Sequence, residues 1–252
     1  MPTLTGGEDV AQTLVLQSFR TDPVPDWIQQ CLESVRSWCR EKNYTWRFID
    51  DDLFDLVPGW YMDKTGKGPI ATDYARLVLL ENALASEEVD QVIWLDADIF
   101  VLDNAMQISS VKSCAFGQEV WIQEEKGVMK ARKNIHNAVC LFKQRCIVLP
   151  FLIETVASII KRVDPDRIAP QMVGPKLLSA LHSLYDFSLL PQVGAISQEV
   201  AADIQSGQGP ALNLLLEKTS VPLQAVNLCA SLMTEADASN VIAGLTLLQT
   251  NN

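Results

Sequence analysis

Short apolar runs alternate along this chain with longer segments whose apolar residues fall at helical spacing. "AQTLVLQSF" (11–19) has a β-type apolar centre and predicts a first strand. Over 25–43, Trp27, Cys31, Leu32, Val35, Trp38 and Cys39 recur on one helical face and predict an amphipathic helix. "YTWRFID" (44–50) alternates and predicts a second strand. Residues 50–69 are polar and rich in turn residues, a loop with short helical pieces. A helix over 72–86 follows, with Thr72 as its N-cap, and then a third strand within 91–103, "QVIWLDADIFVLD", with the Asp-Ala-Asp at or near its carboxyl end.

Strand, helix, strand, loop, helix, strand is a βαβ signature, which implies a parallel sheet covered by helices. The second half is more mixed. Shorter strands are predicted at 114–122, 127–134 and 137–143, and a further one within 187–193. Helices are predicted at 150–163 and 174–184, and a packing helix at 211–221. There is no repeat, low-complexity segment or obvious linker, so the expectation is one α/β domain over 1–252, with a mixed or parallel Rossmann-type sheet.

Composition narrows the function. With 252 residues, 48% of them hydrophobic and 20% charged, the chain reads as globular and soluble with a sizeable core. A net charge of −11 argues against general nucleic-acid binding, which needs a basic face. It leaves open a ligand that brings its own metal. "MPTLTGGEDVAQT" lacks a signal-peptide pattern, and "IVLPFLIETVASII" is interrupted by Pro150 and Glu154 and too short for a transmembrane segment. Six cysteines without a C-x-x-C pair read as reduced thiols in a cytoplasmic protein, and two histidines argue against a zinc site.

The chemistry concentrates in "VIWLDADIF" (92–100), where two carboxylates interrupt an apolar run. In an extended chain Asp96 and Asp98 project the same way and Ala97 the other. Two carboxylates so close need a cation or a hydrogen-bond network. An oxygen-only site suits Mg²⁺ or Mn²⁺. The carboxyl ends of parallel strands are where open α/β folds bind ligands. The alternative is a turn with two solvated aspartates.

The wider segment "TDYARLVLLENALASEEVDQVIWLDADIFVLDN" (72–104) combines an Asp-x-x-Arg helix with a strand ending in D-x-D. It resembles the DXD-containing sugar-binding region of retaining glycosyltransferases. These include the yeast-type α-1,6-mannosyltransferases, the bacterial capsule and lipopolysaccharide sugar transferases and, more distantly, the clostridial glucosylating toxins. Thr72-Asp73, Arg76 and Leu95-Asp96-Ala97-Asp98 carry the resemblance. Gln17 in "TLVLQSFRTD", Asn137 in "NIHNAVCLFKQRCIVLPFLIET" and Val173-Gly174-Pro175 in "QMVGPKLLSAL" extend it thinly along the chain.

The resemblance implies a GT-A fold, with residues 10–104 as the nucleotide-sugar half and 105–252 as the acceptor half. It implies an enzyme that transfers a hexose from a UDP- or GDP-sugar, with retention, to a glycan, lipid, protein or small-molecule acceptor. Asp98 would bind the metal directly and Asp96 through water while facing the ribose or sugar. Asp73 and Arg76 would contact the transferred sugar, and Gln17, Thr72, Trp94 and Asn137 would join the donor site. Asn227 and Ser231 in "QAVNLCASLM" stand where relatives carry further metal ligands. Three of these roles have structural alternatives: an exposed i, i+3 ion pair for Asp73–Arg76, a core aromatic for Trp94, and buried polar residues near a strand end for Asn227 and Ser231.

Two rivals remain. A nucleotidyltransferase usually has a glycine-rich loop after the first strand, and "QSFRTDPVPDW" has no glycine. A non-catalytic descendant of the fold is kept open by the departures at Ser18-Phe19 and Asn227, while the intact Asp73, Arg76, Asp96 and Asp98 argue against it. The "DKTGKGP" turn (63–69) reads as surface or as a flap. Lys126, Lys130, Arg132 and Lys133 read as a solvated hairpin face, with an anionic acceptor or membrane surface as the alternative. The acids in 49–55 read as a loop or helix start, or as a ribose contact.

Overall fold

The protein is described by a computed structural model covering residues 12–85 and 88–250. Ala11 and Ser86, the outermost residues of two predicted elements, lie outside the described residues, as does most of the polar opening segment. Leu14, Val15 and Leu16 are buried at the centre of strand β1 (Thr13–Ser18). Helix α1 (Asp26–Lys42) buries Trp27, Ile28, Cys31, Val35, Trp38 and Cys39 and ends at Asn43, in the left-handed conformation. Strand β2 (Thr45–Ile49) leads into a 3₁₀ turn, helix α2 (Gly59–Thr65) and helix α3 (Pro69–Leu84). Strands β3 (Gln91–Leu95) and β4 (Ile99–Val101) follow, separated by a turn.

The second half opens with a long hairpin, β5 (Cys114–Glu125) and β6 (Val128–Lys143). After it come helices α4 (Val148–Arg162) and α5 (Pro175–His182) and strands β7 (Ser188–Leu190) and β8 (Val193–Ala195). Helices α6 (Gln198–Ser206) and α7 (Pro210–Lys218), strand β9 (Ala225–Asn227) and helix α8 (Glu235–Thr250) complete the described chain.

The main sheet has the order β2-β1-β3-β6-β5-β7. Pairs β2–β1, β1–β3 and β5–β7 are parallel, and β3–β6 and β6–β5 are antiparallel. A second sheet, β4-β9-β8, takes the chain after the D-x-D. This is a mixed α/β fold, as expected. The strictly parallel sheet implied by the first half stops at β3, because a hairpin supplies the next two strands.

Four local expectations are corrected. The predicted strand within 91–103 breaks at the D-x-D: β3 ends at Leu95, and the turn carries the chain into the second sheet. The strands predicted at 127–134 and 137–143 form one strand, because pairing with β5 continues past Asn134 to Phe142. Helix α3 starts at Pro69 rather than after Thr72, since proline is pre-set for the first helical position. Thr72 lies in its first turn and donates from Oγ1 to the Gly68 carbonyl. The 187–193 segment contributes β7 and opens β8, one to each sheet. Among the described residues no helix is long and apolar enough to cross a membrane.

Candidate active site

The carboxyl ends of the parallel strands open onto a cleft of about 1440 Å³. Ser18 and Asp50, after or at the ends of β1 and β2, line it with Asp96 and Asp98. The D-x-D is where the chain leaves one sheet for the other. Asp96 N–H still donates to Ala138 O of β6 at 2.8 Å, while Asp98 O accepts from Leu228 N, just beyond β9, at 2.9 Å. Both aspartates reach the cleft through a turn rather than through extended alternation.

Arg76 is the hub of the site. Its side chain is 7% exposed, on the cleft-facing side of α3. It pairs with Asp73 (Nη2–Oδ1, 3.3 Å) and with Asp96 (Nη1–Oδ1, 3.2 Å). Nη1 also donates to the Asn137 carbonyl at 2.6 Å, and the guanidinium carbon stands 5.1 Å from the centre of the Trp94 ring. Burial disfavours its charge, but Asp96 and Asp73 outweigh that and raise its pKa. Asp73–Arg76 is therefore a buried ion pair, unlike the exposed i, i+3 pair weighed as its alternative. Among the described residues Arg76 Nε has no partner, and it is shielded from solvent.

Asp73 sits one layer behind the cleft wall. Its Oδ1 accepts from Asn137 Nδ2 at 2.7 Å. Burial pushes its carboxyl up to about 6, although Arg76 and Asn137 pull the other way. Asp98 is half-buried. Its Oδ2 accepts from Ala230 N–H at 2.9 Å and its Oδ1 from Asn227 Nδ2 at 3.2 Å. Burial, and then the charge of Asp96, push its carboxyl up to about 6.

The donor set fits a hard divalent cation in part. Two carboxylates flank one turn, and among the described residues Asp98 has no ion-pair partner of its own. Ser231 lines the same cleft. Asn227 is turned otherwise. Its amide nitrogen faces Asp98 and its Oδ1 accepts from Cys229 N–H at 2.6 Å. Among the described residues no group of three His, Cys, Asp or Glu side chains converges, so a cation here would need oxygens beyond the two carboxylates.

The remaining candidates take distinct places. Trp94 is 1% exposed, packs in the core and donates from Nε1 to Asp96 Oδ1 at 2.6 Å, so it orients that carboxylate from below. Gln17 is fully buried. It donates to the Asp96 carbonyl at 3.2 Å and accepts from Trp46 Nε1 at 3.0 Å. Thr72 and Asn137 line the cleft. The hairpin contributes lining residues that the sequence reading did not single out, above all Glu119, Trp121 and Asn134. The signal for Glu119 and Trp121 was their alternation with Val120 and Ile122.

The fold is similar to that of a solved glycosyltransferase involved in the glycosylation of the major capsid of PBCV-1, with a TM-score of 0.52 and 10% identity over 92% of this chain and 99% of that one. The likeness identifies the architecture as the GT-A-like fold seen among glycosyltransferases. Also similar are the galactosyltransferase LgtC, solved with donor and acceptor sugar analogues (TM-score 0.47, 14% identity, 93% of this chain and 96% of that one), and the apo form of the glycosyltransferase GlyE of Streptococcus pneumoniae TIGR4 (0.46, 11%, 96% and 63%). No protein-family model matches the chain, and no curated protein matches it by sequence.

Proposed function

We propose that this protein is a metal-dependent, cytoplasmic glycosyltransferase that moves a sugar from a UDP- or GDP-sugar to an acceptor with retention of anomeric configuration. The observation that carries the reading is the Asp73–Arg76–Asp96 network, buried beside Asp98 where the parallel strands end. The division into a donor half (10–104) and an acceptor half (105–252) belongs to the same proposal.

Asp98 and Asp96 would hold Mn²⁺ or Mg²⁺, with Ser231 as a further oxygen on the same wall. When bound, the ion supplies Lewis-acid neutralisation of the charge that develops on the departing nucleoside diphosphate. Arg76 adds a fixed positive charge, held in place before the donor arrives by Asp73, Asp96 and the Asn137 carbonyl. Such preorganised charge in a partly dehydrated site favours the transition state without reorganising during the step. Asp73 does not line the cleft, so its part is to position Arg76 and Asn137. Gln17 and Trp94 position Asp96 through its carbonyl and its carboxylate.

A second reading, a nucleotide-sugar-binding protein without turnover, is favoured by Asn227, whose amide oxygen is engaged by Cys229 rather than offered to a cation. Thermal stability of the purified protein against UDP- and GDP-sugars, with and without Mn²⁺, tests the proposal. A ligand at a hundred times its Kd stabilises a fold by about 2.7 kcal/mol. A Mn²⁺-dependent shift with donor turnover supports the transferase. A shift without turnover selects the binding protein, and no shift with any donor rejects both.

A further inference from the structure

The two faces of the β5–β6 hairpin have opposite surroundings. On β5, Val120 and Ile122 are 6% and 0% exposed and pack in a cluster with Val200, Leu212 and Val241 of α6, α7 and α8. Glu119, Trp121 and Gln123 alternate with them, and all three line the cleft that holds Asp96 and Asp98. Cross-strand pairing sets Asn134 beside Glu119 and Arg132 beside Trp121, and both partners line the cleft as well. The hairpin therefore presents a continuous row of side chains to the same cavity, spaced about 7 Å apart along the strand.

The charges on this row are largely satisfied within it. Glu125 accepts from Lys130 at 2.7 Å, from Gln123 Nε2 at 2.5 Å and from Arg132. Glu119 Oε1 accepts from Asn134 Nδ2 at 3.1 Å, which leaves its other carboxylate oxygen for a further donor. What faces the cleft is a half-buried indole between an acid–amide pair and Arg132, whose guanidinium is engaged by Glu125. An anionic lipid headgroup would need unengaged cations here, and an acyl chain would need a wider apolar wall. A neutral ring rich in hydroxyls suits the row. Its C–H face packs on the electron-rich indole face, and its hydroxyls hydrogen-bond to Glu119 and Asn134.

We propose that Trp121, Glu119 and Asn134 form a pyranose-binding subsite, so that the acceptor is a carbohydrate. The word acceptor rests on the transferase reading above; the sugar-binding surface does not. Trp121 is the ring platform, and Glu119 and Asn134 fix the orientation of the sugar.

Saturation-transfer difference NMR tests this with the methyl glycosides of glucose, galactose and mannose, and with lactose and maltose. It would be run on wild type, Trp121→Phe, Trp121→Ala and Asn134→Ala, each also assayed for the nucleotide-dependent thermal shift. The expected result is saturation of pyranose ring protons in wild type and Trp121→Phe. Binding should be about tenfold weaker in Trp121→Ala, with the nucleotide shift unchanged. Asn134→Ala, at an exposed position, should also weaken binding and serves if Trp121→Ala does not fold. Equal signals in wild type and the alanine variants overturn the subsite. So does the absence of signal from every probe in wild type, and where the nucleotide shift persists the transferase reading survives that loss. Sugar binding that depends on Trp121 without any nucleotide shift keeps the subsite and rejects the transferase.

Discussion

The backbone at Gly174 passes so close to Asp73 that a Cβ at position 174 would stand 2.7 Å from Asp73 Oδ2 and 2.9 Å from Asn137 Nδ2. Glycine is needed here for space. Gly174 closes the rear of the layer that fixes Arg76. Gly174→Ala is therefore expected to destabilise the fold by about 1–3 kcal/mol, as overpacking does, and to disturb the Asp73–Asn137 hydrogen bond. Urea unfolding reads the first effect. An unchanged midpoint would show that α5 can move aside.

Asp73 ties stability to pH. Its folded carboxyl titrates at about 6, against an ordinary value of 3.8, so between these values the folded protein binds more protons than the unfolded chain. Stability then falls as pH rises through this window. Asp73→Asn stays neutral and keeps an acceptor for Asn137. Relative to that variant, the metal-free wild type should lose roughly 2–3 kcal/mol between pH 4 and pH 7. A difference that stays flat, or grows with pH, contradicts the assignment.

Arg76 is expected to behave as the partner of a buried charge rather than as a surface residue. At pH 7, Arg76→Met leaves Asp73 without its cation and should cost about 3–5 kcal/mol. Adding Asp73→Asn should recover part of that loss, and a double-mutant cycle measures the coupling. Arg76→Lys keeps the charge but cannot serve Asp73, Asp96 and the Asn137 carbonyl together, so it should bind a nucleotide-sugar more weakly than wild type. Additive effects in the cycle would mean that the pair is not coupled.

How legible these features were in the sequence follows from their range. The α1 stripe and the apolar run into Asp96 are local patterns, and they placed the strand end, Asp73 and Arg76 correctly in relation to one another. The break after Leu95 was hidden because Ile99–Val101 is as apolar as β3. Only the distant β9 selects a second sheet for it. The position of Gln17 depends on Trp46 and on Asp96, far along the chain, which no local pattern around residue 17 encodes. The orientation of Asn227 is set two residues away, at the Cys229 N–H, but no residue pattern encodes which end of an amide turns inward. The hairpin row showed its alternation plainly. What it faced depended on helices α6, α7 and α8 covering the other side.

Asp98→Asn isolates the cation question from the fold. The carboxylate accepts one backbone N–H, from Ala230, and one amide hydrogen, from Asn227. An asparagine can keep the first of these and must give up or invert the second. Against that loss, the substitution removes a carboxyl whose charge burial and Asp96 disfavour. The two effects oppose each other, and the net change in metal-free stability should lie within about 1 kcal/mol. Donor binding in Mn²⁺ should respond quite differently, since a neutral amide is a weaker ligand for a hard cation. Calorimetry should therefore show that the variant binds a UDP- or GDP-sugar with the same affinity with and without Mn²⁺, while wild type gains affinity from the metal. A variant that keeps the full metal-dependent gain would place the cation away from Asp98 and leave that aspartate as a structural link between the D-x-D turn and β9.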